Sequence, residues 1–218
     1  MCFILKLLLG FFTAFGGAAF GAYTAYLFQC KREQKALSEK QYSLLLEAQM
    51  ILGFHLSSLI NLKIHLLDLY KDDTEKAFHI PLYFQRMNKD SINLKSLSFL
   101  TNSQDPNLIM ELSLADNRYF NVTDTLDHRN TILTNIQASA SISECDFSTG
   151  KFKGLIDLPQ AKLLVDETES LFNLGYRAID FIEATKKQLE NTMSVIFPNR
   201  RPVKYENKIP KESKNPKA

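Results

Sequence analysis

The sequence predicts an all-α protein: an N-terminal single transmembrane helix followed by an antiparallel bundle of three long helices with a short helical insertion. Three observations carry this. Leu7 to Gln29 is a run of 23 residues without a formal charge. Three downstream segments repeat apolar residues at steps of three and four, and none alternates with the period of a strand. Proline and capping residues stand where two of those segments open, at Asp105-Pro106 and Asp157-Leu158-Pro159. The expected division is a membrane anchor over 1–30, a bundle over 31–197 and a disordered basic tail over 198–218.

The anchor comes first in the chain. As a helix, 23 residues rise roughly 34 Å, enough for a ~30 Å hydrocarbon core with some tilt. Tyr23 and Tyr26 stand near one end, where amphipathic rings favour the headgroup level. A cleaved secretory signal is the rival reading, with Ala14-Phe15-Gly16 or Ala19-Phe20-Gly21 as the cleavage site. The apolar run continues past both as Ala-Tyr-Thr-Ala-Tyr-Leu-Phe, and only Lys6 precedes it, so an anchor is the better reading. Lys31, Arg32, Lys35 and Lys40 follow the run. The excess of positive charge on that side puts the bulk of the chain in the cytoplasm, on an inner cell membrane. Within the run, Gly10, Ala14, Ala18 and Ala22 recur every four residues beside a ridge of Gly17, Gly21 and Ala25. Small residues at that spacing let two backbones approach closely, so this face is the candidate for homo-oligomer formation in lipid.

The first bundle helix is expected from about Lys31 to Tyr70, continuous with the anchor. Tyr42, Leu45, Leu52, Leu56, Leu59, Leu66 and Tyr70 form its stripe, widened by Leu46, Ile60, Leu62 and Leu69. The second runs through Leu108, Leu112, Ala115, Tyr119, Val122, Leu126, Arg129, Leu133 and Ile136, a regular series broken only by Arg129. The third runs through Leu164, Thr168, Leu171, Gly175, Ala178, Ile182, Leu189, Met193 and Ile196, and Pro198 ends it. Gly175 and Ala178 are small, which leaves room for a neighbouring helix.

Residues 71–104 are interrupted by Pro81 and by Asn88-Lys89-Asp90-Ser91. Ile92, Leu94, Leu97, Phe99 and Leu100 suit a short helix capped by Asp90 or a strand-like strip, of which the short helix is the expectation, and 141–158 reads as an irregular loop. If 71–104 stays at the far end, the three helices make three traverses, and Pro198 lies far from the membrane. On that reading the tail, with seven Lys+Arg against two Glu, does not reach its own bilayer.

Composition narrows the function. Of 218 residues, 45% are hydrophobic, which excludes a disordered chain, and a net charge of +2 gives no reason to expect nucleic acid. Cys2, Cys30 and Cys145 are too few and scattered for a disulfide framework or a thiolate zinc site. No Glu-x-x-His pair of the di-iron kind occurs, and neither a nucleophile elbow nor a phosphate loop is found. His55 and His65 lie ten residues apart on one helix, roughly 80° and ~15 Å apart, and cannot share an ion alone. The unusual local feature is Arg129 on an apolar stripe with Asp127 beside it. Asp127 and Arg129 are the candidate for a buried polar network, with Asp180 or Glu183 as further members. The competing reading is an arginine at a bundle end reaching water along its stem.

These residues predict no cofactor, no metal and no enzymatic activity. The expected function is a non-enzymatic protein-interaction or scaffold module held in the lipid bilayer by its N-terminal helix, with a protein partner of unknown identity. The alternatives are a single-pass sensory module and a membrane-perturbing effector that oligomerises through its transmembrane helix.

Overall fold

In a computed structural model the backbone is described for residues 2–84, 88–102, 105–139, 145–146, 151–152, 158–198 and 200. Side chains are described for the same residues except 2–15, 102, 145–146 and 151–152. Four α-helices follow in order: α1 Cys2–Leu62, α2 Lys76–His79, α3 Leu108–Ser139 and α4 Leu158–Ile196. A π-helical turn, Lys63–Leu67, extends α1, and a 3₁₀ turn, Ser98–Asn102, precedes α3. Between α3 and α4, Cys145–Asp146 (β1) and Lys151–Phe152 (β2) form a two-residue antiparallel ladder, too short to alter the all-helical character.

The chain divides into two compact units, Met1–Leu44 and Leu45–Ala218. In the first, none of residues 16–30 is buried. Phe20, Tyr23, Tyr26 and Phe28 are 60–73% exposed. Thr24 donates its hydroxyl to the carbonyls of Phe20 and Gly21, both at 2.9 Å, so its polar group is satisfied within its own helix. The helix that begins here is long and apolar enough to cross a membrane. The apolar stretch within Gly16–Leu67 is 44% buried; with no buried residue in 16–30, it is the part covered by the bundle, separate from the uncharged run before it.

In the second unit the stripes read from the sequence face the core. All nine residues of the α3 series are buried, Arg129 included. On α4, Leu164, Thr168, Leu171, Gly175, Ala178, Ile182, Leu189 and Met193 are buried. On α1, Leu45, Leu52, Leu56, Leu59, Leu62 and Leu66 are 4% exposed or less, whereas Leu69, beyond the π turn, is 70% exposed.

The side-chain pairings give the sense of each traverse. Between α3 and α4 they join His128 to Glu167, Arg118 to Phe181 and Asp105 to Gln188. Between α1 and α4, Leu67 meets Gly175, Lys63 meets Tyr176 and Gln49 meets Glu190. In both sets one residue number falls as the other rises, so α4 runs against both α1 and α3. His55 of α1 stacks on Tyr119 of α3, which fixes the level at which those two meet.

The segment 71–104 makes the return that this arrangement requires. Ala77, Ile80, Pro81 and Tyr83 sit beside Arg129 and Asn130. Asp90 and Ser91 sit beside His55 and Asp116, and Asp105 sits beside Gln188. The level moves along α3 from residue 129 to 116 and on to its start, a distance of ~32 Å. This corrects the expectation that the insertion stays at the far end. A traverse needs no helix: ~10 residues of extended chain cover the distance that 21 helical residues cover. The short helix expected over 92–100 is also displaced: a 3₁₀ turn at Ser98–Asn102 stands there, and α2 forms at Lys76–His79 instead.

Candidate functional site

Arg129 lies at 0% exposure on α3, away from water, and its guanidinium is bonded at every N–H. Nε donates to Thr168 Oγ1 at 3.2 Å. Nη1 donates to the carbonyl of Pro81 at 3.3 Å and to Asn130 Oδ1 at 3.5 Å. Nη2 donates to the carbonyls of Ala77 at 3.2 Å and Ile80 at 2.7 Å. Five donors meet five acceptors, all of them neutral. Two of these carbonyls belong to the C-terminal turn of α2, whose oxygens have no intrahelical partner and attract positive charge. Burial pulls the guanidinium down to about 10, still protonated at neutral pH.

Asn130 extends the same grip. Its Nδ2 donates to the Tyr83 carbonyl at 2.8 Å and its Oδ1 accepts from the Tyr83 N–H at 3.4 Å, as a neighbouring strand would. Asp127 is exposed, and its backbone carbonyl accepts from the Thr131 hydroxyl. It is not among the partners of Arg129. Asp180 and Glu183 are exposed as well, and Glu183 pairs with Lys187 at 2.9 Å. Arg129 therefore holds the returning segment 77–83 to α3 and α4 and has no donor left for a ligand.

A second polar centre joins α1, the segment 90–91 and α3. His55, at 0% exposure, stacks on Tyr119 with ring centroids 3.7 Å apart and planes 7° from parallel. Its Nε2 lies 3.0 Å from the Asp90 carbonyl, which can only accept, so Nε2 carries the proton. Nδ1 then presents a lone pair to Asp116 Oδ1 at 3.8 Å, and both buried atoms lack a hydrogen-bond partner. Burial holds the imidazole below its ordinary range, against the pull of Asp90 and Asp116. Ser91 donates its hydroxyl to the other Asp116 oxygen. The three residue types are those of a hydrolytic triad, but the bonds differ. The serine proton goes to the carboxylate, and the basic nitrogen faces that carboxylate instead of a hydroxyl, so no nucleophile is activated.

The other polar side chains join elements. His128 Nδ1 lies 2.8 Å from Glu167 Oε1. His79 sits between Asp73 and Glu75 at 2.7 and 3.5 Å and holds the Asp73 carboxyl below its usual range. Gln49 Nε2 donates to Glu190 Oε1 at 3.0 Å, ahead of Lys186 at 3.8 Å from the same oxygen. Among the described residues no group of three or more His, Cys, Asp or Glu is placed to hold a metal ion. On the small-residue face, Gly17, Ala18, Gly21, Ala22 and Ala25 are exposed. The side chains of Gly10 and Ala14 lie outside the described residues, as do residues 201–218 of the tail.

Sequence reasoning singled out Arg129 from its place on an apolar stripe. It weighed His55 only as a metal ligand beside His65 and passed over Asp116, though each is next to a stripe residue (Leu56 and Ala115) and thus also on the covered side of its helix. No protein family, curated protein or solved structure matches this chain.

Proposed function

We propose that this protein is a membrane-anchored helical-bundle scaffold: Leu7–Gln29 spans an inner membrane, and residues 45–197 form a cytoplasmic interaction module. The observation that carries the anchor is the exposure of Phe20 and Phe28, 70% and 73%, on a helix face with no buried residue from 16 to 30. So large an apolar surface is stable in hydrocarbon and unfavourable in water. The internal bonding of Thr24 suits the same environment. Support for a scaffold comes from the bundle, where α4 runs against α1 and α3 and the conspicuous polar residue, Arg129, spends every donor on holding the fold together.

Two measurements test this reading. After extraction with alkaline carbonate the full chain should stay with the membrane, and a chain beginning at Lys31 should not. Alkaline phosphatase fused after Ala218 should be inactive and a green-fluorescent fusion bright. Release of the full chain by carbonate would overturn the anchor, and an active phosphatase the orientation.

A further inference from the structure

We infer that the outer face of α1 and its π turn within the bundle, from Leu46 to Ile64, docks against the same face of a second copy of this chain. The inference concerns the bundle's own residues and holds whether or not the N-terminal run spans a membrane. It starts from a stripe that the fold leaves uncovered. Leu46, Met50, Gly53, Ser57, Ile60 and Ile64 follow one another at steps of four and three, the spacing with which one helix packs along another. At ~100° per residue they lie on one side of the helix, within an arc of ~80° and over a length of ~27 Å. None of the six is buried, and Met50 and Ile64 are exposed, as is Phe54 beside them. The core of the bundle takes a different side of α1, through Leu45, Leu52, Leu56 and Leu59. This part of the helix therefore carries two apolar stripes, and one chain covers only the first.

Shape and charge point to the partner. A Cβ on Gly53 would meet nothing within 4 Å, so the backbone lies open in the middle of the stripe. Glycine weakens the interior of a helix, and within this chain no neighbour uses the space it leaves. Met50 and Phe54 stand next to that hollow. A face with large side chains beside an open backbone is complementary to itself: in a two-fold pair, Met50 and Phe54 of one copy sit over Gly53 and Ser57 of the other. Such a pair also brings like residues near each other, which repels wherever they are charged, and the six stripe residues carry no charge. The outward faces of the other long helices differ. On α3, Met110 and Leu114 are exposed for one turn, followed by Asn117, Asn121 and Asp124. On α4 the exposed residues include Asp166, Glu169, Arg177 and Asp180. Among the described residues of the bundle, the complement to this stripe is the same stripe on another copy.

The test is disulfide trapping of the purified full chain in mild detergent, with Cys2, Cys30 and Cys145 replaced by Ser and one new cysteine at a time. Ser57→Cys stands in the stripe, whereas Asn121→Cys and Glu169→Cys stand on the outward faces of α3 and α4. Under a mild oxidant Ser57→Cys should give at least about ten times more covalent dimer than either control, because a disulfide forms only where two Cα atoms come within ~7 Å. Adding Met50→Glu and Ile64→Glu to Ser57→Cys should cut that yield at least about tenfold, because pairing would draw the new carboxylates out of water. The melting temperature of the monomer, read at high dilution, should not change, since both side chains are exposed in the single chain. Equal yields at the three positions would overturn the inference and leave the stripe to a partner of another sequence. A Ser57→Cys dimer that survives both glutamates would overturn it as well. So would a marked fall in the monomer's melting temperature, which would show that the chain's own residues cover the stripe.

Discussion

Arg129 meets five neutral oxygens at 2.7–3.5 Å, and this sets what its replacement does. Arg129→Leu would leave three backbone carbonyls and Thr168 Oγ1 in the core without donors, while Asn130 Oδ1 keeps the Tyr83 N–H, at ~1–3 kcal/mol for each that stays unsatisfied. Partial relaxation brings the expected loss to ~3–5 kcal/mol. Arg129→Lys, with three donors on one nitrogen, should lose ~1–3 kcal/mol. Urea titration of the full chain in detergent checks both. His55 predicts a pH dependence with a definite sign. Its pKa in the fold lies below the 6.5 of a free histidine, so the unfolded chain takes the proton first. Stability is full above pH ~6.5 and falls as the pH drops toward the folded value. Asp116→Asn should be as stable as the parent at neutral pH, or more so. The new Nδ2 can donate to His55 Nδ1 while Oδ1 still accepts from Ser91. A lower melting temperature for Asp116→Asn at pH 7 would contradict this pairing.

The helices were legible because a bundle helix writes its buried face into the sequence at steps of three and four. The α3 series from Leu108 to Ile136 is buried throughout, and α4 opens at Leu158, beside the expected Asp157-Leu158-Pro159. Arg129 was visible as an exception, but its partners were not: three are backbone carbonyls, and carbonyls carry no residue identity to read. The glycines can be told apart only in the structure. A Cβ on Gly175 would stand 2.7 Å from Leu67 Cδ1, while one on Gly53 meets nothing within 4 Å. Gly53→Ala should therefore stabilise α1 by ~0.5–1 kcal/mol, the usual gain of Ala over Gly in a helix. Gly175→Ala must shift the side chain of the fully buried Leu67, at ~1–3 kcal/mol, and should lower the melting temperature. In the membrane segment, Gly17→Ile with Gly21→Ile should weaken self-association by up to ~2 kcal/mol in an in-membrane dimerisation assay.

Topology was the part the sequence concealed. Pro81 and the polar run Asn88 to Ser91 argue correctly against a long helix in 71–104, yet a chain that is not helical can still cross the whole bundle. Local pattern reports which conformation a segment takes and says little about where it goes. The route is set by single anchoring contacts: Arg129 and Asn130 on residues 77–83, His55 and Asp116 on residues 90–91, Gln188 on Asp105. Each joins residues 25 to 83 positions apart, beyond the reach of any periodicity. One consequence is that the two ends of the bundle domain, Leu45 and Phe197, share a side.

Spin-label distances measure that topology directly. Glu47, Lys162 and Ser194 are exposed and can carry labels without disturbing the core. With α4 running back beside α1, labels at Glu47 and Ser194 should lie within about 25 Å, the spacing of adjacent helices plus the label arms. Labels at Glu47 and Lys162 should lie about 45–50 Å apart, the rise of the 32 residues between the two α4 sites. The reverse order, with Glu47 close to Lys162 and far from Ser194, would show three traverses in place of four. It would contradict the fold, because α4 would then no longer run back beside α1.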